Sequence, residues 1–387
     1  MSQQEVNCCQ TYLQTTKCNN SPREQLQFLC PYSLHAHLLP ERFGRRPHHS
    51  LFHTIIMTGR RDELAELKLK WANFLPTFEH SFLKEVRMCT PLAIKNNQSI
   101  AFEFTVLPEM CNIFKTLHGG SAATIIDTLM GWTIVAEPGQ PHPFHVTTDL
   151  DLNFLNGVPE GEKVILRARV VGRNAAGVVV IDGQLVRASD GLVYVDAKQT
   201  LMHVDSGLIR GKNVTKTKKD VVQKMVESSE MEKDLRTERF NRLWRSSYSA
   251  DLFTKYPTMW KLIYAKPGAN LYEIQITQEA TNSLGIVHGG FIATAIDSCT
   301  CSTAVTNKDI YRVSVALHVS YLAQSRVGDI LQLRTKTINE TDSRATVSAT
   351  IFNKLTGAKI ATGYQTVADI KPPAHTVEHY GDSKAHL

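Results

Sequence analysis

The feature that most constrains this chain is that much of it is written twice. The segment NIFKTLHGG at 112–120 returns as NSLGIVHGG at 282–290, an offset of 170 residues. Nine residues beyond His118 stands Asp127, and nine beyond His288 stands Asp297. Downstream, HVTTDLDLNFL (145–155) answers VSVALHVSYL (313–322). Then EKVILRARVV, GVVVIDGQLVRASDG and VYVDAKQTLMHV answer DILQLRTKTI, RATVSATIFNKLTG and AKIATGYQTVAD in the same order. Solenoid units repeat every roughly 20–50 residues, so this period is too long for one. It marks a duplicated domain of about 110–130 residues, an ordinary domain size.

Length agrees, since 387 residues at about 100–200 per domain predict two or three domains. With 42% apolar and 21% charged residues, the composition excludes wholesale disorder. The 22 Gly and 15 Pro exclude collagen-like and mucin-like chains. No apolar run reaches the length of about 18 residues that a spanning helix needs, so no membrane span is expected. A net charge of +6 does not argue for a nucleic-acid partner. Of the eight cysteines, Cys8, Cys9, Cys18 and Cys30 crowd the first thirty residues, while Cys89, Cys111, Cys299 and Cys301 sit in apolar or helical contexts. Neither a CxxC pair nor a matching His/Cys pattern reads as zinc, so no metal site is expected. Reduced, packing-type thiols are the expectation.

The expected organisation has five parts. Residues 1–57 form an extension, disordered or a leader. Residues 58–204 form a first domain with a preceding helix around 71–82. A charged linker helix covers 205–240, and its run KTKKDVVQKMVESSEMEKDLRTER reads as a solvated face. A second domain spans 241–372, again with a preceding helix around 240–260. A disordered tail covers 373–387. The stretch RFGRRPHHSLFHTIIM resembles part of a mitochondrial transit sequence, whereas Glu5 and the polar opening do not. The compartment is therefore read as cytoplasmic, with mitochondrial as the alternative.

Within each copy, alternating segments such as SIAFEFTVL and LYEIQIT predict a first strand. The His-Gly-Gly segment then opens a long helix, and three or four alternating strands follow. One helix followed by consecutive strands implies an α+β fold with an antiparallel sheet.

The helix carries the chemistry. HGGSAATIIDTLMGWTIVA (118–136) has Asp127 as its only formal charge, and HGGFIATAIDSCTCSTAV (288–305) has only Asp297. A helix apolar on all sides is buried. A carboxylate there costs several kcal/mol in desolvation unless something pairs or uses it. The glycines at the opening allow close backbone approach to a ligand. The free N–H groups and positive dipole end make an anion or oxyanion site. Nine residues at about 100° each amount to half a turn out of phase, and they rise about 13–14 Å. Asp127 therefore does not easily serve its own helix start. A second helix packed antiparallel brings its acid there instead. Asp297 then faces His118 and Gly119, Asp127 faces His288 and Gly289, and duplication supplies both halves.

These residues resemble the hotdog-fold acyl-CoA thioesterases, in the phenylacetate-degradation subgroup that includes the small mammalian thioesterase-superfamily enzymes. The likeness rests on N-x5-H-G-G, the Asp nine residues after the His, and a downstream Ser or Thr, present twice in order over roughly 90–205 and 265–370. It implies two hotdog domains, each a long central helix wrapped by antiparallel sheet, paired as an intramolecular pseudo-dimer with sites at the interface. Carried over by position, Gly119 and Gly289 N–H groups polarise the thioester carbonyl. Asn112 and Asn282 assist, held by His118 and His288. Asp127 and Asp297 act as general base on water or as nucleophile. Ser314 positions the water, with Thr147 at the matching place in the first copy, and Gly120 and Gly290 contact substrate. The turns near Arg173 and Arg344 match where the family contacts coenzyme A. Homo-oligomers of double-hotdog units are also implied.

The chemistry is coherent without the family. Thioester hydrolysis needs an activated water and a stabilised oxyanion. A carboxylate taken out of water is a stronger base. One preorganised oxyanion donor is worth about 2.7–4 kcal/mol. No cofactor is needed, because coenzyme A is part of the substrate. Neither GxSxG nor a P-loop is present. The rival readings are a hotdog acyl-thioester dehydratase or hydratase, and a non-catalytic acyl-CoA-binding module.

Overall fold

Among the described residues, each copy builds one long helix and six antiparallel strands. The computed structural model describes residues 90–95, 99–135, 145–204, 259–282, 285–306 and 310–371. The first copy contributes β1 (Thr90–Lys95), β2 (Ser99–Thr105), α1 (Gly119–Val135), β3 (His145–Phe154), β4 (Lys163–Arg173), β5 (Val178–Arg187) and β6 (Val193–His203). The second contributes β7 (Lys261–Lys266), β8 (Ala269–Gln275), α2 (Gly289–Val305), β9 (Tyr311–Tyr321), β10 (Ile330–Glu340), β11 (Arg344–Asn353) and β12 (Lys359–Ile370). The expected α+β class holds, with an antiparallel sheet. The extension at 1–57, the stretch at 71–82, most of that at 240–260, the linker at 205–240 and the tail at 373–387 lie outside the described residues.

The strands form one sheet in the order β1-β2-β4-β5-β6-β3-β9-β12-β11-β10-β8-β7. The two copies meet at β3 and β9, which pair antiparallel from Asp149↔Ser320 to Asn153↔Ala316. Alternation decides which face is covered, because successive strand side chains point to opposite sides. On β2, Ile100, Phe102 and Phe104 are buried while the residues between them are not. On β8, Asn270, Tyr272 and Ile274 do the same. Both helices lie on that face, and one apolar cluster joins Ile126 and Leu129 to Ile296, Leu317 and Val319.

Strands β1 and β7 were not anticipated. They are the two outermost strands and each pairs with a single neighbour. Pro91 on β1 suits an edge, where a missing N–H is tolerated, and so do Lys261 and Lys266, which flank β7 with charge. That same composition blurs the alternation that betrays a strand in sequence. No helix among the described residues is long and apolar enough to cross a membrane.

The helices cross antiparallel near their starts. Thr124 Oγ1 donates to Gly290 O (3.2 Å), Thr294 Oγ1 donates to Gly120 O (3.0 Å), and the two hydroxyls lie 3.1 Å apart. Glycine is required here by close approach. A methyl on Gly120 would meet Thr294 Cα at 3.0 Å, and one on Gly290 would meet Thr124 Cα at 2.8 Å. Backbone cannot yield as a flexible side chain does. Gly290→Ala should therefore cost about 1–3 kcal/mol through overpacking. Chemical denaturation would read this, and unchanged stability would show that the crossing is not tight.

Candidate active site

Each helix starts where the chain leaves a short polar loop. In the first copy, Asn112 Oδ1 accepts hydrogen bonds from Phe114 N–H (2.9 Å), Thr116 N–H (3.3 Å) and Thr116 Oγ1 (3.0 Å). In the second, Asn282 Oδ1 accepts from Ile286 N–H at 3.2 Å. With Oδ1 of Asn112 engaged within its own loop, its Nδ2 makes no hydrogen bond to a described residue. The loop needs one left-handed residue, supplied by Gly285 (φ 68°) in the second copy and by Lys115 (φ 57°) in the first. A side chain in that conformation costs roughly 1–2 kcal/mol.

His118 and His288 cap the helices. Each accepts through Nδ1 from the N–H two residues on, Gly120 or Gly290, at 2.9 Å. This is the N-cap arrangement, and it requires an unprotonated Nδ1. Burial pushes both imidazoles below their ordinary value, and the nearby Asp297 or Asp127 offsets this only partly. Capping commits the Gly120 and Gly290 donors, and the helix crossing covers the Cα faces of both glycines. Gly120 and Gly290 thus pack helix on helix. Gly119 and Gly289, the first helical residues, have N–H groups with no intrahelical acceptor.

The acids are buried, Asp127 at 5% and Asp297 at 2% exposure. Asp297 comes from α2 yet lies against the start of α1. Its Oδ2 is 3.5 Å from His118 Nδ1, and a methyl on Gly119 would fall 2.6 Å from its Oδ1. Asp127 lies reciprocally, with Oδ2 3.9 Å from His288 Nδ1 and 3.0 Å from a methyl placed on Gly289. One oxygen of each carboxylate is saturated within its own copy. Ser314 Oγ donates to Asp297 Oδ1 (2.7 Å), and Gln365 Nε2 donates to the same oxygen. Thr147 Oγ1 and Gln199 Nε2 each donate to Asp127 Oδ1 at 2.8 Å. The other oxygen, Oδ2, carries no hydrogen bond from a described residue and lies beside the opposite cap, 3.5 Å from His118 Nδ1 for Asp297 and 3.9 Å from His288 Nδ1 for Asp127. Ser314 and Thr147 thus act on the carboxylate directly.

Gln199 and Gln365 were missed. Both occur in a Gln-Thr step at the same place in the two copies, and both are fully buried. A polar residue at an inward position of an alternating strand, repeated, was the available signal. Tyr321 was missed as well, although it donates through Oη to Gly289 O at 3.0 Å. Burial, reinforced by the charge of Asp127, holds its phenol well above the ordinary value, so it keeps its proton. Arg173 ends β4 and Arg344 begins β11, both exposed and at the same hairpin of the two copies. Among the described residues no group of three or more His, Cys, Asp or Glu side chains is placed to hold a metal.

Both copies have relatives among known proteins. The family described as thioesterase superfamily matches residues 114–193 and again 284–357. Human acyl-coenzyme A thioesterase 13 is 30% identical over 106 residues, covering 27% of this chain and 76% of that protein. The chain belongs to the thioesterase superfamily. Among solved structures, mouse thioesterase superfamily member 2 aligns over 34% of this chain and 96% of its own, at 24% identity and a TM-score of 0.32. An acyl-CoA thioesterase II from Mycobacterium marinum aligns over 75% of this chain and 97% of its own, at 12% identity and a TM-score of 0.47.

The caps make the site acid-sensitive. Both imidazoles have folded values below the unfolded value of about 6.5, so the unfolded chain binds protons first. Their stability contribution is complete above that value and is lost as pH falls below it, by up to about 1.4 kcal/mol per pH unit for each histidine. Denaturation between pH 7 and pH 5 should show this slope. Replacing both by Asn, which caps without titrating, should flatten it, and an unchanged slope would assign the acid sensitivity elsewhere.

Proposed function

We propose that this protein is a tandem double-hotdog acyl-CoA thioesterase of the phenylacetate-degradation type. It hydrolyses acyl-CoA to the free carboxylic acid and coenzyme A. The observation that carries the reading is a buried carboxylate with one oxygen saturated by donors of its own copy, lying against the capped start of the opposite helix. The two halves form a pseudo-dimer, and each site is composite. One joins Asn112, His118 and Gly119 to Asp297, Ser314 and Gln365. The other joins Asn282, His288 and Gly289 to Asp127, Thr147 and Gln199.

In the first site the thioester carbonyl oxygen accepts from Gly119 N–H and Asn112 Nδ2. Ser314 and Gln365 hold Asp297 by Oδ1, leaving Oδ2 to take a proton from water. The water oxygen attacks the carbonyl carbon, and its charge collects on the carbonyl oxygen, where the N–H donors face it. As the C–S bond breaks, the proton on Asp297 passes to the leaving sulfur. Acid and thiol depart, and the carboxylate is restored. The reaction uses water and the chain's own side chains, with coenzyme A entering only as part of the substrate.

Thiol release from saturated acyl-CoAs tests the reading. Asp127→Asn and Asp297→Asn should each silence one site, and the double change should lower turnover by on the order of 10²–10⁴. Asp127→Asn with His288→Ala spoils a single composite site, whereas Asp127→Asn with His118→Ala spoils both. A double Asp variant that releases thiol at the original rate would remove the base. Hydration of an enoyl-CoA without thiol release would favour the dehydratase reading. Tight acyl-CoA binding without turnover would favour a binding module.

A further inference from the structure

On the face of the sheet away from the helices, the join between the copies carries a polar chain. His318 Nδ1 meets Asp151 Oδ1 at 2.5 Å, and His318 Nε2 meets Ser320 Oγ at 3.0 Å. Ser320 Oγ donates in turn to Asp149 Oδ1 at 2.8 Å. With the serine proton directed at Asp149, the ring donates from both nitrogens, as imidazolium. The contacts with Asp151 raise its proton affinity above the ordinary value against the opposing effect of burial. The Tyr364 ring stacks on it from β12 at 4.9 Å. On the other side, Lys198 of β6 is opposite Asp151, and Asp182 of β5 is opposite Lys198.

The location is special. Asp151 and His318 hold the same place in the two copies, since HVTTDLDLNFL answers VSVALHVSYL. They are also each other's partners in the β3–β9 ladder. The approximate two-fold axis relating the copies therefore passes between them. In a symmetric pairing of like with like, a residue on the axis faces its own copy. Two first copies would set Asp151 against Asp151, with an Asp149 close by on each side, which puts four carboxylates at one join. Like charges directly opposite on paired strands are destabilising. Two second copies would set His318 against His318. Lys198 and Asp182 belong to the first copy and flank Asp151 in either pairing, so they do not discriminate.

We propose that the Asp151–His318 pair is an address that makes each copy accept the unlike copy of its own chain and refuse its like. Specificity of this kind arises as much from the repulsion in the wrong pairing as from attraction in the right one. The consequence, which rests on the composite-site reading, is that Gly119 always meets Asp297 and Gly289 always meets Asp127. Pairing like with like would instead join Gly119 to Asp127 and Gly289 to Asp297.

The full-length chain tests this in four forms: unchanged, Asp151→His, His318→Asp, and the exchange of both. At pH 6 each single change should lower the melting temperature by on the order of 2–4 °C, and the exchange should recover most of the loss. Each form is also unfolded and refolded at high concentration, then compared by light scattering with its never-unfolded sample. Asp151→His relieves the carboxylate repulsion, so it should gain several-fold more crosswise-paired dimer on refolding than the unchanged chain, while the exchanged form should not. Additive losses in the double variant would overturn the proposal. So would a refolded mass distribution for Asp151→His that matches the unchanged chain. Neither readout involves thioester hydrolysis, so a failure of the catalytic reading would show separately.

Discussion

The antiparallel crossing of α1 and α2 sets everything else in place. Gly120 and Gly290 let the backbones close on Thr294 and Thr124, whose hydroxyls bond the carbonyl oxygens of those same glycines. The crossing therefore occurs at the helix starts and at one register. That register brings each acid, half a turn out of phase with its own helix start, to the start of the other helix. A crossing one turn further along would carry the acids about 5 Å away. The site is therefore a product of helix packing, and the second Gly of each His-Gly-Gly serves that packing.

Burying two carboxylates demands donors, and the strands supply them. Each Asp draws one hydroxyl from β3 or β9 and one amide from β6 or β12. Both donors converge on a single oxygen. The second oxygen lies beside the cap of the opposite helix.

The duplication, the α+β class and the helix opening at His-Gly-Gly were all readable in the sequence. They rest on local signals, namely an internal repeat, an all-apolar helix with one acid, and a strand period of two. Gln199 and Gln365 were harder, because a glutamine in an alternating strand looks exposed until its phase against the buried face is known. The packing role of Gly120 was not legible, because a glycine that opens a loop to a ligand and a glycine that admits a second helix look alike in sequence. Only the crossing separates them. Lys115 gave no sign of its left-handed backbone except through Gly285 at the same place in the other copy.

Duplication also lets the two sites diverge, as an obligatory pair of identical chains could not. Thr300 donates to Gln365 Oε1, which orients that amide. Met130 stands at the matching position of α1, and Gln199 Oε1 is buried without a hydrogen-bond partner among the described residues. An unpaired buried acceptor costs about 1–3 kcal/mol. Met130 is accommodated because Gly183 lies over it, where a methyl would fall 2.6 Å from its sulfur, while Ala349 holds that place in the second copy. Tyr321 bonds Gly289 O where the first copy has Phe154. The site built on Asp127 thus has a looser amide, a Thr in place of a Ser and an added phenol. Such differences persist only while each half reliably meets the other. In a homodimer any change on the two-fold axis is made twice and faces itself, so a charge there repels its own copy. Within one chain the axis can carry opposite charges, as at Asp151 and His318, and the asymmetry that duplication permits inside the sites is matched by an asymmetry at the seam.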